Sequence, residues 1–168
     1  MVASLAAATV KAGCENATLD SCLVGTWKQT GGGPEEWMRE HMKTVQVHID
    51  TGDVTMTLNE DGTYETSKAR SKTEISVEGT PVEATGNMSM QGSGKWSAAD
   101  DALTFCAMSF EGDGALEVMG PSGREMTMKL PKIAPEDSVV TYTCVGDTLT
   151  TVMEMMDSKM TTIFTRVP

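Results

Sequence analysis

The chain has 168 residues, the length of one domain, and 39% of them are hydrophobic, enough for a buried core without help from metals or partners. Its 13 Lys and Arg stand against 24 Asp and Glu. The formal charge of -11 repels phosphate backbones and anionic lipid surfaces, which argues against nucleic acid and membrane surfaces as partners. No apolar run approaches the roughly 18 to 20 residues of a spanning helix, so no membrane insertion is expected.

Residues 1 to 20 are rich in Ala and Thr and read as an N-terminal tail or linker in front of one domain over residues 21 to 168. The opening MVASLAAATVKAGC has an apolar middle but lacks the basic start of a signal peptide. Ala12-Gly13-Cys14 is similar to the end of a bacterial lipoprotein signal, although Lys11 stands where that pattern has an aliphatic residue. From Leu23 to Gln29 the pattern is that of a strand, which Gly31-Gly32-Gly33 is expected to break. Pro34-Glu35-Glu36 opens a short helix to about Lys43, with Pro and acids in the first turn, and Trp37, Met38, His41 and Met42 form its apolar stripe.

Short alternating segments follow. Val45 to Ile49, Val54 to Leu58 and Thr63 to about Lys68 read as a three-strand meander, with turns at Thr51-Gly52-Asp53 and Asn59-Glu60-Asp61-Gly62. Further strands are expected over Lys72 to Glu78, Val82 to Gln91, Gly94 to Ser97, Ala102 to Phe110, Ala115 to Met119, Glu125 to Leu130, Val139 to Val145, Thr148 to Met155 and Met160 to Arg166. Turn chemistry at Gly79-Thr80-Pro81, Asp100-Asp101, Gly112-Asp113-Gly114, Pro121-Ser122-Gly123 and Gly146-Asp147 separates them. This spacing predicts an all-β, antiparallel up-and-down barrel or a sandwich, with the helix covering one end.

The four cysteines, Cys14, Cys22, Cys106 and Cys144, form no Cys-X-X-Cys cluster and suit disulfides in an oxidising compartment, hence a secreted or periplasmic protein. Three pairings are open. Cys22 and Cys144 both fall in predicted strands, which favours that bridge and leaves Cys14 for Cys106, over a Cys14 to Cys22 pairing that would close only a short loop.

Cys22-Leu23-Val24-Gly25-Thr26-Trp27, Leu58-Asn59-Glu60-Asp61-Gly62-Thr63-Tyr64, Gly94-Lys95-Trp96-Ser97 and Tyr142-Thr143-Cys144-Val145-Gly146-Asp147-Thr148-Leu149 occur in that order. In order and spacing they resemble the bacterial lipocalin-like domains of the calycin group. The resemblance implies a barrel of eight to ten antiparallel strands with an open mouth, a structural Gly-X-Trp on the first strand, and binding of small apolar ligands. The physical reading agrees for Gly25, Trp27 and Trp96, because glycine permits close backbone approach and a buried indole needs a partner for its N–H. Unlike the haem-binding relatives, the segment Lys159 to Val167 has no His to act as an axial ligand, so neither haem nor another cofactor is expected.

Fourteen methionines are several times ordinary usage. Met88 with Met90, Met126 with Met128, and Met153 with Met155 are spaced by two, so each pair shares one face of its strand. With Met56 they are the candidate lining of a ligand cavity, since flexible thioethers adapt to irregular apolar surfaces. Core filling in place of scarce Leu and Ile is the plainest reading of the same residues, and Cu(I) binding a third. His41 and His48 read as surface residues. Asp50-Thr51-Gly52-Asp53 and Glu111-Gly112-Asp113-Gly114 read as hairpin turns rather than calcium loops. No nucleophile elbow or phosphate loop is spelled out, so a non-enzymatic binding module is expected. The alternative is a structural or interaction module of a larger extracellular assembly, with a side-chain-filled barrel and a protein partner on the N-terminal segment.

Overall fold

The computed structural model describes residue 14 and residues 18–67, 69–80, 83–120, 123–129, 137–155 and 158–168. Most of the expected tail, together with Lys68, Pro81, Val82, Pro121, Ser122 and Leu130 of the expected strands and turns, lies outside the described residues. The elements follow in the order β1 (Gly25–Gly32), α1 (Pro34–His41), β2 (Val45–Thr51), β3 (Thr55–Leu58), β4 (Thr63–Thr66), β5 (Ala69–Val77), β6 (Glu83–Ala99), β7 (Ala102–Met119), β8 (Glu125–Lys129), β9 (Ser138–Val145), β10 (Thr148–Met155) and β11 (Ser158–Arg166). Eight of the strands close an antiparallel barrel in the order β6-β4-β3-β1-β11-β10-β9-β7, with β7 returning to β6.

β6 and β7 are 17 and 18 residues long, and only one half of each belongs to the barrel. In β6, Ser93 to Lys95 pair with β4, and in β7, Ala102 to Phe105 pair with β9. The other halves project beyond the barrel as the centre of a second sheet. There β5 pairs with Glu83 to Met90, β2 pairs with β5, and β8 pairs with Ala115 to Met119. The result is a five-stranded extension, β2-β5-β6-β7-β8, continuous with the barrel wall.

Several sequence expectations are corrected here. Val45 to Thr66 is not a meander, because β2 pairs with β5 while β3 pairs with β1 and β4. Gly31 and Gly32 end β1 rather than interrupt it, with a register shift between Gln29 and Gly31. Gly32 has φ +67, and a Cβ there would collide with the Thr161 carbonyl oxygen, so glycine lets β1 pass against β11. The breaks expected at residues 92–93 and 112–114 are strand interior. The register explains why: Gly86 faces Leu116, Gly114 faces Met88 and Gly112 faces Met90, so each glycine makes room for a large partner on the same face. Glu111-Gly112-Asp113-Gly114 is accordingly no turn.

Pro34, Glu35 and Glu36 start α1 as expected, but the helix has no buried residue and does not enter the barrel. It contacts β1, β11 and β2 and braces the edge of the extension: a Glu35 carboxylate oxygen accepts the Ile49 N–H at 2.9 Å. The core lies at the other end, where Leu23, Trp27, Leu58, Trp96, Leu103 and Leu149 have no exposed surface. Burying each such side chain contributes about 1.5–3 kcal/mol.

The disulfides pair Cys14 with Cys106 and Cys22 with Cys144, as the strand positions favoured. Cys14 is therefore not available for a thioether to lipid. The described part of residues 1 to 20 is tied to the barrel rather than free: Cys14 is buried, Thr18 O accepts from Ala98 N at 2.8 Å, and Leu19 packs on the core.

Candidate functional site: the two ends of the barrel

The closed end is built around Trp27. Its indole N–H donates to Leu23 O at 2.7 Å, and the Arg166 guanidinium lies 4.2 Å over its ring. The same guanidinium donates to Cys22 O and Val24 O, each at 2.6 Å. Three successive carbonyls ahead of β1 are thus satisfied by one indole and one arginine fork. Gly25 has φ +134, and a Cβ on it would sit 2.6 Å from Arg166 Nη1, so glycine is required there by conformation and by space. Trp96 has the equivalent position on β6, donating from its indole to Asn59 O at 3.1 Å.

Asp20 adds a second tie. One carboxylate oxygen accepts from Cys22 N and the other from the Tyr142 hydroxyl, both at 2.9 Å, beside the Cys22 to Cys144 bridge. Burial, this hydrogen bond, and the charges of Asp20 and Asp101 push the Tyr142 phenol up to about 12. Tyr64, edge-on to Phe105 at 5.0 Å, is raised by burial and then by the charge of Asp137. Trp27 and Trp96 are thus fully buried in the core, and Gly25 stands against Arg166 at the closed end. Arg166 was missed, although it falls in phase with Met160, Thr162 and Phe164 on the inward face of β11.

Toward the other end the inner face is partly open. On β6 the inward residues pass from fully buried Trp96 to half-buried Met90 and Met88, and on β10 from fully buried Leu149 to half-buried Met153 and Met155. Register places Met160 beside Met153. The inner face then continues onto the extension through Ala84, Leu116, Val118, Ile75 and Val47, a charge-free surface in cross-strand register. Met126 and Met128 share this face on β8 but are 59% and 46% exposed. Met56 lies elsewhere: it is packed into the closed-end core at 8% exposure. Of the seven candidate methionines, four therefore lie on the half-buried inner face, two on an exposed edge and one in the core. Met160 was missed because its nearest partners in phase are Thr162 and Phe164, so no methionine pair announces it.

The opposite face of the extension is polar. An open hollow of about 710 Å³ lies across the extension, with charged Asp50, Arg70, Lys72, Asp113 and Lys129 along its walls together with Asn87 and the candidate Met88. Lys72 donates to Glu74 at 2.7 Å, which raises the ammonium and lowers the carboxyl. His41 stacks on Trp37 at the outer surface, and exposed His48 is 3.7 Å from Glu35. Among the described residues, no three His, Cys, Asp or Glu side chains gather as a metal site.

No family model matches the chain, and no curated protein and no solved structure matches it either.

Proposed function

We propose that the chain is a non-enzymatic, secreted lipocalin-like domain that holds a small apolar ligand on the methionine-lined inner surface at the open end of the barrel. One observation carries this reading: an inner face that runs without a charged side chain from the packed core out through half-buried Met88, Met90, Met153, Met155 and Met160. Solvent-accessible thioethers on long, unbranched side chains can close around an apolar body of irregular shape at little strain. The lipocalin likeness is supported by the eight-stranded antiparallel barrel, the helix after its first strand and the Gly25-Thr26-Trp27 strand start. Two disulfides favour an oxidising compartment.

The test is denaturing extraction of the purified protein followed by mass spectrometry, with titration of a fluorescent fatty-acid probe in parallel. A co-purified apolar molecule, or saturable probe binding near one per chain, supports the reading. Failure of both sinks it and leaves the structural alternative, an interaction module, which the exposed Met126 and Met128 of β8 favour.

A further inference from the structure

The extension is a single-layer sheet with two edges, and the protein treats them differently. At β2 the edge is guarded: Glu35 from α1 takes the Ile49 N–H, and the helix lies against the strand. At β8 the strand ends the sheet, pairs among the described residues with β7 alone, and is exposed at every residue from Glu125 to Lys129. An edge of this kind that carries two exposed methionines is a template for another strand.

The sequence of β8, Glu-Met-Thr-Met-Lys, says which strand fits. Placed antiparallel to its own copy with Thr127 on the two-fold axis, Glu125 faces Lys129 of the second copy and Lys129 faces its Glu125. Met126 then faces Met128 on the apolar side, twice. A parallel arrangement sets like charges side by side, a one-residue slip puts methionine against the polar face, and a two-residue slip leaves neither charge opposed. Neither Glu125 nor Lys129 has an ion-pair partner within the chain among the described residues. In a chain of net charge -11, which elsewhere repels its own copies, this strip is self-complementary.

We propose that β8 is a homodimerisation edge, joining two copies by antiparallel β8 to β8 pairing into one sheet across a two-fold axis. The proposal is independent of the ligand reading. The strand is short, so the association is weak, with a midpoint between about 10 µM and 1 mM.

Sedimentation velocity of the full chain across that concentration range tests it, together with the variants Glu125→Lys and Lys129→Glu. The expected results are a reversible dimer for the natural chain and a midpoint raised roughly tenfold or more in each variant alone. An equimolar mixture of the two variants regains the dimer, because a β8 with lysine at both ends then faces a β8 with glutamate at both ends. Near-ultraviolet circular dichroism and thermal midpoint should match the natural chain, since both positions are exposed. A chain that stays monomeric throughout, a dimer indifferent to both substitutions, or a mixture that fails to restore it would each overturn the proposal.

Discussion

Arg166 and Trp27 act as a unit, and their separate substitutions should differ in size. Trp27→Ala removes a fully buried ring, leaves Leu23 O without its indole donor and takes away the ring under the Arg166 guanidinium, for a loss of about 3–5 kcal/mol in urea unfolding. Arg166→Lys keeps the charge but not the fork across Cys22 O and Val24 O, and should lose about 1–3 kcal/mol. Neither residue faces the open end, so probe affinity measured while the fold is intact should not change. Tyr142 gives a pH signature. Its phenol is raised to about 12 by burial and by Asp20, while the unfolded phenol ionises near 10.0. The folded state therefore holds the proton more tightly. Its contribution to stability is complete below pH 10 and is lost as pH climbs toward 12. Thermal midpoints of Tyr142→Phe against the natural chain should fall less steeply across that window, with Tyr64 accounting for part of the remaining slope in both.

The strands were legible where alternation and turn chemistry agreed. β9, β10 and β11 start and stop within two residues of the expected positions because Gly146-Asp147 is a real hairpin turn between β9 and β10. The long hairpin of β6 and β7 was not legible, and for a physical reason. Glycines that serve a partner strand's bulk have the same spelling as glycines that make a turn. Gly86 states the difference in a testable form. A Cβ there would lie 3.2 Å from Leu116 Cδ1, so Gly86→Val, which raises strand propensity, should still destabilise by about 1–3 kcal/mol in urea unfolding. Stabilisation instead would mean that Gly86 is not shaped by Leu116. Sheet pairing was equally hidden, since nothing local in Val45 to Ile49 says that its partner is β5 rather than the adjacent β3.

Two bridges tie distant parts of the chain into this one sheet. The Cys22 to Cys144 bridge spans 122 residues and fastens the start of the first strand to β9. Replacing both by Ala should lower unfolding free energy by about 2–5 kcal/mol, measured by denaturant titration, without changing the far-ultraviolet spectrum. The candidate site was half legible: period-two methionines marked Met88, Met90, Met153 and Met155 correctly as sharing faces, but the sequence could not say that Met56 is core or that Met126 and Met128 lie on an edge. That distribution gives the ligand reading its sharpest check. With the methionine methyls labelled with ¹³C and assigned, titration with a fatty-acid probe should move the signals of Met88, Met90, Met153, Met155 and Met160 to saturation and leave Met56 in place. No movement at those five, or equal movement at all fourteen, would contradict a binding surface at the open end of the barrel.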